Sequence, residues 1–338
     1  MANHPIDSAE HIAPTVLLTD QDVAQLADWK AAFDALRAAY ASPLDSAMVP
    51  PRSMARGEGM WLRGLTAVSP SGGHMGCKLI AAGTKVRRAS YLISLFDQKT
   101  MALAALIDGN RITGIRTAAT AAVAVAAAAP DRPLAVGVIG SGFEARGLLS
   151  ALAAVRKVAS ARVFSPNPSS REKFAAAFRD EHGWVVETAE SAQHAIAGAD
   201  VVLCAARSRD ESPVLRGEWL EPGMTVASIG STLPEQREVD EQVIARAALV
   251  VADMPDEVAH DTGDMIAATH AGVDFATKLT SLSDFISGKT LRQPEDIVVY
   301  KSVGSGLQDI ITAEMLLARA RAMGLGVELA HTIVPVAK

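Results

Sequence analysis

Residues 134–145 read Leu-Ala-Val-Gly-Val-Ile-Gly-Ser-Gly-Phe-Glu-Ala, an apolar run that ends in Gly-x-Gly-x-x-Ala. Few folds accommodate this arrangement. The run predicts a buried strand over 134–139, and the apolar stretch after it predicts a helix over 143–156. Gly140 permits the tight turn between them, Gly142 lets backbone approach a ligand, and Ala145 keeps the helix close to the strand. The helix start then offers free N–H donors and a positive dipole end, a setting for the pyrophosphate of a dinucleotide. Ser141, Phe143 and Glu144 complete that loop.

Downstream, strands at 161–165, 200–206, 225–229 and 248–251 alternate with helices at 168–179 and 190–197. Alternation of this kind predicts an α/β fold with a Rossmann-type, doubly wound parallel sheet. Upstream, the pattern is different. Asp20 is the expected N-cap of a helix over 20–41, and strands follow at 59–69, 76–83, 90–96 and 101–107. Asp108-Gly109-Asn110 reads as a hairpin turn, Ala-rich residues 117–129 read as a helix, and Pro130-Asp-Arg-Pro133 is a short linker. Helix 302–323 closes the pattern. The expected organisation is an α+β substrate-binding and dimerisation domain from residues 1–129 and 311–338, around a dinucleotide-binding domain of residues 130–310.

Composition narrows the function. The 338 residues carry a net charge of −6, which argues against nucleic acid as the main partner. The first eleven residues lack a basic start and an apolar core, so no signal peptide is expected there, and the Ala run 118–129 is too short to span a bilayer. Two distant cysteines, Cys77 and Cys204, fit a reducing, cytoplasmic compartment and supply no metal motif. His260 stands among carboxylates without metal-ligand spacing, so no metal is expected.

The second strand of the dinucleotide unit ends Val163-Phe164-Ser165-Pro166-Asn167, where an NAD site usually carries a carboxylate for the ribose 2′-hydroxyl. Ser165, Asn167 and Arg171 instead suit a 2′-phosphate, so NADP(H) is expected to be preferred, with NAD(H) also accepted. Three cations lie in unusual surroundings: Arg52 after Pro-Pro, Lys78 between Cys77 and Leu79 in an apolar strand, and Arg116 at the mouth of the Ala-rich helix. Buried cations need partners, and an anionic ligand would satisfy them as well as a structural salt bridge would. His74, in a Gly-rich turn, is a further candidate contact.

Together, Pro-Pro-Arg52, Gly-Cys-Lys78, Gly-Ile-Arg116-Thr117-Ala-Ala, Gly140-Ser-Gly142-Phe-Glu-Ala145, Ser228-Ile-Gly230-Ser and Tyr300-Lys-Ser302-Val-Gly304-Ser-Gly-Leu-Gln308-Asp309 resemble the ornithine cyclodeaminase/mu-crystallin family over roughly residues 45–325. The resemblance implies a homodimer that acts on small α-amino or α-imino acids with a nicotinamide cofactor. It implies that Arg52 and Arg116 clamp the substrate carboxylate and that Lys78 sits beside the reacting carbon and nitrogen. It also implies that Thr117, Ala205, Ala206, Ser228, Ile229, Gly230, Ser302, Val303 and Gly304 lie along the cofactor. Family cyclodeaminases carry a Gly-Gly/Ala-Asp segment, and Thr232 stands in the place of its Asp. A threonine is no base near neutral pH, and the neighbouring Glu235 and Glu238 are expected at the surface. Reduction of a preformed imine has less need of that base. An NAD(P)H-dependent imine reductase is therefore the leading expectation. The alternatives are a cyclodeaminase or amino-acid dehydrogenase that uses Asp97, Asp264 or a water instead, and a non-catalytic binder. Arg56, Arg63, His74, Arg87 and Arg88 hint at a second anionic group on the substrate.

Overall fold

Two sheets divide the work of the chain. A computed structural model describes residues 13–208 and 210–329, with isolated positions 333, 335 and 336; the reading of residues 1–11 lies outside these. The first sheet has seven strands in the order Val327–Leu329, Thr15–Leu18, Leu103–Asp108, Arg88–Asp97, His74–Gly83, Met60–Val68 and Ser53–Gly57. All its pairings are antiparallel except that of Thr15–Leu18 with Leu103–Asp108.

The second sheet has eight strands in the order Leu279–Ser281, Leu249–Ala252, Val298–Lys301, Thr225–Ser228, Val201–Cys204, Leu134–Ile139, Val158–Phe164 and Val186–Thr188, paired in parallel throughout. Its central strands are apolar and buried, as strands covered on both faces must be. The chain leaves Leu134–Ile139 in one direction across the sheet and returns on its other side at Val201–Cys204. The crevice at the carboxyl ends of these strands is where open α/β sheets bind ligands.

Helix Asn110–Ala128 joins the two halves. It packs on helix Phe143–Ala153, on helix Gly306–Met323 and on strands Thr225–Ser228 and Val298–Lys301. Ala118, Ala119, Ala121, Ala122, Ala124 and Ala128 are buried, because only small side chains allow such close approach from several directions. One apolar cluster runs through this helix into both sheets.

Several local expectations need correction. Asp108-Gly109-Asn110 is a strand-to-helix junction rather than a hairpin: the Asp108 carboxylate accepts from the Asn110 N–H at 2.9 Å and Gly109 is the N-cap. The helix therefore starts seven residues before Thr117, and Arg116 lies within its second turn instead of at its mouth. The region 20–41 is two helices, Asp20–Leu26 and Trp29–Ala41. Thr19, not Asp20, caps the first in a reciprocal box with Asp22, and Asp28 caps the second. The last long helix spans Gly306–Met323; residues 298–301 form a strand and 302–305 a loop.

Candidate active site

Gly140 turns the chain with φ of +111°, and a Cβ there would overlap the Ala205 carbonyl oxygen. Only glycine tolerates both conditions. Gly142 faces open space and is the N-cap of helix Phe143–Ala153, where no side chain among the described residues accepts from the first-turn N–H groups. The open cradle and the unpaired donors fit a pyrophosphate. Ser141 Oγ donates to Ser165 Oγ at 2.9 Å, which ties the cradle to the end of the second strand. Asn167 caps helix Pro168–His182, and Arg171 lies over the Phe164 ring at 5.6 Å while Nη1 donates to the Ala189 carbonyl at 2.7 Å.

The loops on the other side of the crevice are held by a side chain expected at the surface. Glu238 is fully buried. Its Oε1 accepts from the Ala206 N–H at 2.8 Å, and its Oε2 accepts from the Gly230 N–H at 2.8 Å and from Ser228 Oγ at 2.6 Å. Three donors, two from loops and one from the end of strand Thr225–Ser228, offset the cost of burying the carboxylate. Lys301, also buried, donates to Ser228 Oγ at 2.8 Å and to Asp264 Oδ2 at 2.6 Å. Asp264 is thus a structural counter-ion at the far end of this network. Glu235 is exposed. Asp97 caps its own turn, accepting from the N–H groups of Lys99 and Thr100.

Lys78 and Arg116 come together on a single carboxylate. Asp309 Oδ1 lies 2.7 Å from Lys78 Nζ and 3.3 Å from Arg116 Nε. Lys78 also donates to Thr113 Oγ1 at 3.3 Å, and Arg116 Nη1 donates to Gln308 Oε1 at 3.0 Å. Burial pulls the Lys78 ammonium down to about 8; Asp309 opposes the shift, and Arg116 adds to it. Gln308 in turn donates to Tyr40 Oη at 3.0 Å and to Asp253 Oδ2 at 2.9 Å. Asp253 gathers the loop 302–304, accepting from Ser302 Oγ and from the N–H groups of Val303 and Gly304. Gly304 has φ of +81°, and a Cβ there would come within 2.8 Å of Arg116 Cζ. The guanidinium therefore lies directly against the loop that ends parallel strand Val298–Lys301. Glu144 is half-buried: its Oε2 is shielded without a hydrogen-bond partner among the described residues, and burial raises its pKa against the pull of Arg116.

Arg52 bridges the sheets. Its N–H donates to Glu257 Oε1 at 3.0 Å, its Nε lies 2.9 Å from Glu257 Oε2, and its Nη2 donates to the Thr232 carbonyl at 3.2 Å. Nη1 is buried with no partner among the described residues. The Thr232 hydroxyl and N–H both donate to Gln236 Oε1, at 3.1 and 3.0 Å.

His74 is not brought to this cluster. Its Nδ1 lies 3.0 Å from Glu314 Oε1, in a separate group with Ser69 and Ser71. His260 Nδ1 lies 2.9 Å from the Asp256 carbonyl of its own helix. Glu257 and Asp253 were not singled out by sequence reasoning, Gln308 and Asp309 entered only as part of a motif without a role, and Glu238 was expected at the surface. The available signal was polar residues set into apolar helix and strand patterns, as with Gln308-Asp309.

A family model described as the ornithine cyclodeaminase/mu-crystallin family matches residues 15–324. The ketimine reductase mu-crystallin of Mus musculus is 29% identical over 66% of this chain and 67% of its own length. A Δ1-pyrroline-2-carboxylate reductase of Bacillus cereus is 28% identical over 85% of each chain. The structure of Thermococcus litoralis Δ1-pyrroline-2-carboxylate reductase, in complex with NADH and L-proline, superposes with a TM-score of 0.84 at 27% identity, covering 93% of this chain and 100% of that one.

Proposed function

The chain belongs to the ornithine cyclodeaminase/mu-crystallin family, and from that premise we propose that it is a nicotinamide-dependent reductase that converts small 2-imino acids to the amino acids. The observation that carries this reading is the buried Lys78–Asp309–Arg116 cluster, pressed against the loop 302–304 at the carboxyl end of the parallel sheet. It combines a proton donor and an anion-binding fork at the edge of a dinucleotide crevice. The pyrrolinecarboxylate and ketimine reductases among its relatives support the same substrate class.

In this reading the Gly140–Gly142 turn and the start of helix Phe143–Ala153 hold the pyrophosphate. Ala205, Ala206, Ser228, Ile229, Gly230, Thr117 and the loop 302–304 line the nicotinamide half. The reduced nicotinamide supplies a hydride to the imine carbon. Arg116 Nη2 and Arg52 Nη1, which make no hydrogen bond among the described residues, bind the substrate carboxylate, and two forks fix its orientation. Lys78 Nζ holds the proton that the imine nitrogen needs, and Asp309 keeps that ammonium charged despite its burial. Thr232 supplies no base, and its hydroxyl is already committed to Gln236. This favours reduction over deamination.

Arg171, stacked on Phe164 where no carboxylate follows, supports NADPH as the better cofactor. The outward row of Leu62, Leu79 and Leu92, each 37–46% exposed on the first sheet, supports a homodimer. Among the described residues no helix is long and apolar enough to cross a membrane.

The test is oxidation of NADPH and NADH in the presence of pyrroline-2-carboxylate or piperideine-2-carboxylate, with L-ornithine and NAD⁺ run alongside and assayed for proline. Imine-dependent oxidation is expected. Proline from ornithine with no imine turnover would overturn the reading in favour of a cyclodeaminase.

A further inference from the structure

Arg63 lies near this cluster, half-buried, and its side chain makes neither an ion pair nor a hydrogen bond among the described residues. Its strand position places it at the site. Arg63 pairs with Ile80 across the sheet, and Lys78 pairs with Leu65, so Arg63 and Lys78 share a face and are offset by two residues. At strand spacing that offset is about 7 Å. Met54 pairs with Arg63, so Arg52, two residues earlier on the chain, leads onto the same face.

The guanidinium lies over the Trp61 ring, 5.1 Å from its centroid, and Nε is buried without a partner. Stacking fixes the plane of the fork and leaves its N–H edge free. Glu257, which bears on Arg63 electrostatically, is already taken by the N–H and Nε of Arg52. Two neighbouring guanidiniums, each with a shielded and unsatisfied nitrogen, repel each other. Burial and Arg52 both disfavour the Arg63 charge. A half-buried cation left in that state is costly unless an anion joins it.

We infer that Arg63 binds a second carboxylate on the substrate, so that the site takes a short 2-imino dicarboxylic acid with the carbon skeleton of aspartate or glutamate. This rests on the imine-reductase reading and narrows it. Arg116 and Arg52 hold the carboxylate beside the imine carbon, Lys78 faces the nitrogen, and Arg63 receives the distal carboxylate along the same sheet face. Arg56 is exposed beyond it and is not needed.

The experiment compares kcat/KM for imines formed from oxaloacetate and from pyruvate, each with excess ammonium, using the dinucleotide-loaded protein. The dicarboxylic imine is expected to be favoured by about 100-fold, as for loss of a charge-assisted pair in a shielded site. Arg63→Met should bring that ratio close to unity, and Arg63→Lys should restore part of it. Equal or better use of the pyruvate imine by the parent protein, or an unchanged ratio in Arg63→Met, overturns the proposal. Binding of L-aspartate against L-alanine to the NADP⁺-loaded protein, read by calorimetry, tests the pocket without turnover or variants. Aspartate preference without any imine turnover keeps the pocket and overturns the reductase reading. Imine turnover without aspartate preference overturns the pocket and keeps the reductase.

Discussion

Asp309 Oδ1 lies 2.7 Å from Lys78 Nζ, and both side chains are sealed from solvent. The pair sets the protonation of the group assigned to the imine nitrogen. Burial pulls Lys78 down to about 8, with Asp309 holding it from falling further. The active form carries the proton, so kcat/KM is expected to fall as pH rises through about 8. Asp309→Asn removes the opposing charge and should move that alkaline limb to lower pH by about one unit. A pH–rate profile of the two proteins checks this, and an unmoved limb would separate Asp309 from the proton donor.

Lys78→Met keeps most of the buried volume and removes the proton donor. Asp309 then retains Arg116 as its partner. Turnover should fall by about 10²–10⁴-fold, the usual worth of a positioned acid. The dinucleotide dissociation constant, read by fluorescence titration, should stay close to that of the parent. Undiminished turnover would remove Lys78 from the mechanism.

Glu238→Gln tests the network that holds the two cofactor loops. A glutamine offers one acceptor oxygen to donors that meet two carboxylate oxygens, so the Ala206 or the Gly230 N–H loses its partner. The expected cost is about 1–3 kcal/mol in unfolding free energy. Because both loops are proposed to line the nicotinamide half, KM for the dinucleotide should rise more than kcat falls. Denaturant titration and steady-state kinetics measure the two effects.

The dinucleotide unit was legible because its requirements are local. Strand Leu134–Ile139 matches the apolar run residue for residue, and Gly140 stands where φ of +111° is needed. The cations were legible as anomalies in apolar or constrained settings. Their partners were not: Asp309 lies 231 residues from Lys78, and Glu257 lies 205 residues from Arg52. Nothing in a helix pattern says which distant cation a carboxylate meets. Glu238 was misread for a related reason. It stands in a polar stretch, Pro-Glu-Gln-Arg-Glu, and only the return of two loop N–H groups and Ser228 makes its burial tolerable. Gly109 was misread because a turn residue before an alanine-rich segment serves a strand-to-helix junction as well as a hairpin.

In the proposed reading, cofactor choice turns on Arg171. With its guanidinium stacked on Phe164, Arg171→Ala should lower kcat/KM for NADPH about tenfold and leave that for NADH nearly unchanged. Equal losses for both cofactors would assign Arg171 to the fold, through its bond to the Ala189 carbonyl.

The central claim is that hydride is delivered to the imine carbon of a substrate held at Lys78 and Arg116. Its most direct measurement uses reduced nicotinamide dinucleotide deuterated at C4 on the transferred face, with the imine in excess and the amino-acid product analysed by mass spectrometry and proton NMR. The account predicts one deuterium per product molecule, located on the α-carbon. Amino acid formed without deuterium, or oxidation of the dinucleotide without amino acid, would contradict it.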